Sequence, residues 1–144
     1  GRKAGRVAGS SEEKKAEEET VGSTTDAFDI VRSGDLPALI RLSETIEGGR
    51  DSLVRLRDRN GAAPLHWAAG SGRLPVLRYL VESCGADPNV GQGGKRAFRG
   101  RTALHWAARN GRMDVARYLV EERGVDLEAT TSDGTTAFCW ACWQ

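Results

Sequence analysis

The sequence predicts an all-α solenoid, in which short antiparallel helix pairs stack in one direction behind a disordered N-terminal tail. Two observations predict it. The chain repeats itself: GAAPLHWAAGSGRLPVLRYLVESCGADPN from Gly61 returns as GRTALHWAARNGRMDVARYLVEERGVDLE from Gly100, and GTTAFCWACWQ from Gly134 begins a further copy. His66 and His105 are 39 residues apart, and His105 and Cys139 are 34 apart. A self-similar period of this size marks a repeat array. Each copy also carries two apolar runs at helical spacing, each closed by glycine and each too short to be stable alone.

The elements follow in order. Residues 1–22 hold Val7 as the only large apolar residue before Val21 and a Glu/Lys run from Glu12 to Glu19. Such a segment buries too little to offset its ordering entropy, which predicts disorder. Residues 24–57 form a degenerate first unit, visible in Gly34-Asp35-Leu36-Pro37-Ala38-Leu39, which matches Gly72-Arg73-Leu74-Pro75-Val76-Leu77. Residues 58–90 and 97–130 are the two full units, and residues 131–144 start a third. Gly61, Gly100 and Gly134 suit a tight turn. Thr102 and Thr136 stand at helix N-caps, and Pro64 at a first helical position. Leu65, Trp67, Ala68 and Ala69 form the first helix of one unit, with Leu104, Trp106, Ala107 and Ala108 in the next. Gly72 and Gly111 end these helices. Leu74, Val76, Leu77, Leu80 and Val81 then give a second helix, repeated by Met113, Val115, Ala116, Leu119 and Val120 and ended by Gly85 and Gly124.

Pro64-Leu65-His66-x-Ala68-Ala69-x-x-Gly72 and Gly85-Ala86-Asp87-Pro88-Asn89 resemble the ankyrin repeat, whose likeness covers about residues 24–144. Ala63 stands where the family has its capping Thr, Ala103 where it has Pro, and Phe28 at the first unit's His position. One extra residue precedes Gly85 and Gly124. The resemblance implies a protein-interaction scaffold or adaptor. It also implies that His66 and His105 are structural, hydrogen-bonding between repeats. The last unit stops inside its first helix, leaving Phe138, Trp140 and Trp143 without a second helix. With Gly1 in place of Met, this predicts a fragment of a protein that continues past Gln144.

No pattern predicts a catalytic, metal or cofactor site. Cys139-Trp140-Ala141-Cys142 is a lone CxxC, and zinc sites need four ligands. The sequence reads its cysteines as buried packing residues. Asp87-Pro88-Asn89 lacks the alternating acids of a calcium loop. Gly91-Gln92-Gly93-Gly94 lacks the Gly-Lys-Ser/Thr of a phosphate loop and reads as a flexible insertion. Trp67, Trp106 and Trp140 share one repeat position, which favours half-core packing over base stacking. The chain's 21 basic and 20 acidic residues name no partner. Three cysteines, no N-glycosylation motif and no apolar run long enough for a bilayer predict an intracellular protein, cytoplasmic or nuclear.

One local feature is informative. Between Pro88 and Met113 there is no acid and there are six bases: Lys95, Arg96, Arg99, Arg101, Arg109 and Arg112. The resemblance implies that partners contact the turn tips and the concave face of the first helices. Repeat offset then predicts a partner-binding set of Arg59, Phe98, Arg99, Arg101, Arg109, Asn110 and Trp143, facing an acidic protein segment. Arg beside an aromatic residue suits a binding hot spot. A solvated face with scattered bases is the alternative. At the level of function, the alternatives are a regulatory domain of a larger enzyme and, last, nucleic-acid binding through the Arg-rich loop.

Overall fold

The structure is a computed structural model that describes residues 27–95 and 99–142. The predicted disordered tail, residues 1–22, lies outside the described residues. Among the described residues all regular structure is helical, apart from an isolated antiparallel bridge between Thr130 and Thr136. Helix α1 covers residues 27–33 and α2 runs Leu36–Thr45. Then come α3 (Gly49–Arg55), α4 (Pro64–Ser71), α5 (Leu74–Arg78), α6 (Ala103–Arg109), α7 (Met113–Arg117) and α8 (Ala137–Cys142).

Local chemistry sets the helix ends. The Asp35 carboxylate accepts the Ala38 N–H at 3.1 Å and caps α2. Thr102 Oγ1 accepts the His105 N–H at the start of α6. Gly72, at φ 71°, closes α4 in the left-handed conformation that other residues avoid.

Stacking gives these short helices their stability. First helices form one row, in which α6 packs against both α4 and α8. Second helices form another, in which α5 packs against both α2 and α7. Ala68, Ala69, Ala103 and Ala107 are buried in the first row and let its backbones approach. Val76, Leu77, Leu80, Val115 and Leu119 are fully buried between the rows. Each Val or Leu so buried contributes about 1.5–3 kcal/mol.

Four details depart from the sequence expectation. The first unit contains an unpredicted helix, α3, which packs on α2 and α4 and buries Leu53 completely. Gly48 and Gly49, both at positive φ, turn the chain into it. Second, the extra residue before Gly85 and before Gly124 is absorbed as one wide π-helical turn. Residues Tyr79–Ser83 and Tyr118–Glu122 continue α5 and α7 in this form. The Cys84 N–H reaches Tyr79 O at 3.1 Å and the Arg123 N–H reaches Tyr118 O at 3.2 Å, each five residues back.

Third, the insertion read as flexible is tied down. Gln92 is buried, its N–H donates to Arg101 O at 2.7 Å, and its carbonyl accepts the Gly100 N–H at 2.8 Å. Its side-chain amide donates to Asn60 O at 2.8 Å, and the Gly93 N–H donates to Gly61 O at 3.1 Å. The insertion is therefore a finger laid on the preceding tip, and a Cβ on Gly61 would come within 2.4 Å of Gly93.

Fourth, the far end of the stack corrects two burial expectations. Cys139 and Cys142 are exposed free thiols, because only the α6 side of α8 is covered. Met113 is 68% exposed, whereas its counterpart Leu74 is half-covered. Met113 and Phe138 line an open apolar groove of about 770 Å3 with Ala116, Val120 and Leu127. Trp140, which has no second helix after it, is nevertheless only 8% exposed, as its shared repeat position with Trp67 and Trp106 predicts.

Candidate functional site

The turn tips and first helices carry most of the residues singled out by sequence. His66 sits at the start of α4 with no exposed surface. Its Nδ1 accepts the backbone N–H of Ala63, the cap residue of α4, at 2.9 Å, while Ala63 itself has no side chain to cap the helix. That fixes the proton on Nε2, which donates to Val90 O at 3.0 Å, beyond the second helix. His105 does the same: Nδ1 accepts the Thr102 N–H at 3.1 Å, and Nε2 donates to Thr135 O at 3.0 Å. Each histidine thereby pins its own helix start to the loop beyond the second helix, at Val90 for His66 and at Thr135 for His105. Burial pulls the His66 imidazole from 6.5 down to about 4, against the pull of the Val90 carbonyl. Burial lowers His105 too, and Arg101 adds to the effect. Neutral imidazoles with both nitrogens engaged have no free position for a metal or a proton transfer.

The tryptophans lie along the first-helix row. Trp67 and Trp106 pack with ring centroids 5.5 Å apart, and Trp140 meets His105 edge-on at 5.7 Å. Trp67 Nε1 donates to Asp58 Oδ2 at 2.9 Å. The other Asp58 oxygen accepts the Asn60 and Ala62 N–H groups, so one carboxylate shapes a tip and anchors a tryptophan.

Two arginine positions recur, and sequence reasoning missed their pattern. Arg32, Gly70 and Arg109 share one repeat position, four residues after Phe28, His66 and His105. The Arg32 guanidinium lies 5.6 Å from the Trp67 centroid, and that of Arg109 lies 5.5 Å from Trp140, each on the tryptophan of the following unit. Where the position is Gly70, Trp106 closes on the backbone, and a Cβ there would fall 2.9 Å from its ring. Arg73 and Arg112 share a second position. Their Nε groups donate to Arg32 O at 2.8 Å and to Gly70 O at 3.1 Å, in the preceding unit. Arg112, counted above among the cluster's bases, therefore ties one repeat to the next. Aligning the arginines by repeat offset is the signal that finds both rules.

The predicted binding set is partly assembled. Arg101, at the tip before α6, places its guanidinium 4.8 Å from the Trp140 centroid, the same ring that Arg109 covers. Asn110 is exposed and donates to Trp106 O at 2.8 Å. Arg99 is exposed and reaches Gly94 O at 3.3 Å on the finger, and its own carbonyl accepts the Ser132 N–H at 2.9 Å. Arg59 is exposed on the tip one repeat earlier. Phe98 and Trp143 lie outside the described residues. Asp133, on the following tip, is held below the usual carboxylate range by the hydroxyls of Thr131 and Thr135. Among the described residues no group of three His, Cys, Asp or Glu side chains is placed to hold a metal ion. Nor is any described helix long and apolar enough to cross a membrane.

Comparison with known proteins agrees with this geometry. The family model described as "Ankyrin repeats (many copies)" matches residues 65–120 and 104–144. The chain is 30% identical over 69 residues to the 26S proteasome non-ATPase regulatory subunit 10 of Dictyostelium discoideum, covering 48% of this chain and 28% of that protein. It is 35% identical over 68 residues to the human DNA-binding protein RFXANK, covering 47% and 25%. It is 38% identical over 55 residues to the palmitoyltransferase Hip14 of Drosophila melanogaster, covering 38% and 8%. The match thus spans about a quarter or less of each of these relatives. A chain in the crystal structure of the yeast ribosomal protein Rps3 with its chaperone Yar1 superposes with a TM-score of 0.67. It is 26% identical, with 82% of this chain and 81% of that one covered. Repeat period, helix-pair stacking, the paired histidine bridges and the family match converge: the chain belongs to the ankyrin-repeat family.

Proposed function

We propose that this ankyrin-repeat domain, a protein-interaction scaffold, holds an acidic segment of a partner protein across its tips and first helices. Arg99, Arg101 and Arg109 stand at the centre, Arg59 and Asn110 flank them, and Phe98 and Trp143 join them by repeat offset. The observation that carries the reading is the convergence of Arg101 and Arg109 on Trp140, at 4.8 and 5.5 Å. It lies at the edge of a stretch without an acid from Asn89 to Arg112. Clustered guanidinium groups beside an aromatic ring suit a hot spot and steer an acidic ligand. Support comes also from the relatives, one a proteasome subunit and one solved in a chaperone complex with a ribosomal protein.

A second reading has its own observation, the palmitoyltransferase relative: the domain serves as a binding module of a larger enzyme. It ranks second because the match covers only 8% of that enzyme. Exchanging Arg99, Arg101 and Arg109 together for glutamate tests the leading reading. Capture of the partner should fall at least about a hundredfold, as for the loss of buried hot-spot contacts, while the helical circular dichroism is kept. Undiminished capture by the exchanged protein contradicts it.

A further inference from the structure

A cleft of about 180 Å3 opens between the end of α3, the start of α4 and the loop from Gly85 to Val90. Its walls are Val54, Pro64, Leu65, Leu80, Ala86 and Val90, and Arg55, Arg57 and Asp87 complete the lining. The fold explains the space. The loops that end the two full units close on each other, because the Asp126 N–H donates to Asn89 Oδ1 at 3.0 Å. The first unit brings α3 to this place instead. Among the described residues no hydrogen bond joins residues 54–57 to residues 85–90. Protein interiors hold few voids larger than a water molecule, so a space of this size is more than a packing fault. An apolar cavity of about 150 Å3 admits a benzene ring. The cleft therefore has room for one bulky apolar side chain.

Charge says what kind of chain brings it. Arg55 and Arg57 are exposed, and the Arg55 side chain has no ion pair among the described residues. Arg57 Nη1 donates to Leu56 O at 2.7 Å and to Val54 O at 3.0 Å, which holds the guanidinium beside the Val54 wall. A side chain ordered beforehand loses less entropy on binding. Asp87 is the one acid of the lining, so two positive charges stand against one negative. Such a rim attracts an acidic chain and repels a basic one. Two residues on, Arg59 is exposed on the tip, while Leu56 and Asp58 between the arginines are half-buried. An acidic segment passing Arg59 is thus led to Arg57 and to the cleft. We propose that the cleft seats a phenylalanine of the partner's acidic segment, with the flanking carboxylates on Arg55 and Arg57. The proposal rests on the acidic-segment reading and adds an apolar anchor to it.

The test uses the intact chain, labelled in its Val and Leu methyl groups and its arginine Nε–H groups and observed by NMR. Three capped peptides are titrated separately: one phenylalanine among three glutamates, the same with alanine for phenylalanine, and the same with lysine for the glutamates. The first should shift the Val54, Leu65 and Val90 methyl signals. It should half-saturate at a concentration about tenfold or more below that of the alanine peptide, as for one buried apolar side chain. The lysine peptide should be weaker than the first. A86L, which fills the cleft, should abolish the methyl shifts. R55E, at an exposed position without a side-chain partner, should weaken the first peptide several-fold while the spectrum is retained, so the test stands even if A86L does not fold. Equal half-saturation by the phenylalanine and alanine peptides overturns the anchor. A lysine peptide as strong as the first overturns the assignment to an acidic segment. Shifts confined to the Arg99, Arg101 and Arg109 signals overturn the cleft and leave the acidic-segment reading standing.

Discussion

His66 shows at the residue scale how one buried side chain ties a helix start to a loop beyond the second helix. Its Nδ1 accepts the backbone N–H of Ala63, and its Nε2 proton goes to Val90 O. Only the neutral ring makes both bonds, so protonation opposes folding. With the folded imidazole at about 4 and the unfolded one at 6.5, the unfolded chain binds a proton that the folded chain refuses between those values. Stability is then fully present above pH 6.5 and falls as the pH drops toward 4, by up to about 3 kcal/mol. His105, lowered in the same direction, adds to the loss. Urea midpoints at pH 7 and pH 4.5 should differ accordingly, and H66N should flatten the difference while lowering the midpoint at pH 7. The structural position of both histidines followed from the sequence resemblance. The identity of their acceptors, Val90 O and Thr135 O, did not, because these lie 24 and 30 residues downstream and are fixed only by the stacking of one unit on the next.

At the scale of elements, the glycines after the first helices separate backbone strain from packing. Gly72 and Gly111 both sit at positive φ, 71° and 67°. A Cβ on Gly111 meets nothing within 4 Å, whereas one on Gly72 falls 2.8 Å from Arg112 Cδ. Alanine at Gly111 should cost about 1 kcal/mol through the left-handed conformation alone. Alanine at Gly72 should cost about 2 kcal/mol, because moving Arg112 also breaks its bond to Gly70 O. Chemical denaturation should show that gap, and an R112A background should close it. Equal costs in both backgrounds would remove Arg112 from its place as an inter-repeat tie. Helix positions at this scale were legible, since glycine stops and apolar spacing are local signals. The π-helical turn was half legible: the extra residue before Gly85 and Gly124 is plain in the alignment, but only hydrogen bonds five residues back show where it goes. Helix α3 left little trace, because Gly48-Gly49 reads equally well as a loop. The finger at Gln92 looked flexible because its partners, Asn60 and Gly61, belong to the preceding tip.

At the scale of the whole molecule, the stack offers two unlike surfaces. The second-helix row is laced by charge pairs, with Arg78 3.7 Å from both Glu82 and Glu122. The first-helix row carries the tryptophans and the arginines that lie on them. The basic stretch was visible in sequence as a run without acids. That its members do different work was not. Arg112 ties repeats, Arg99 braces the finger, and Arg101 with Arg109 covers Trp140. The packing of Trp140 followed from its repeat position, but its cover by two arginines distant in sequence did not. The central claim, that the partner lies along the tips and first helices, is tested most directly by site-specific photo-crosslinking. A photoreactive residue at Asn110 or Arg59 should capture the partner, and one at Glu121 on the second-helix row should not, with R109E abolishing capture from Asn110. Capture from Glu121 with none from Asn110 or Arg59 would contradict the account.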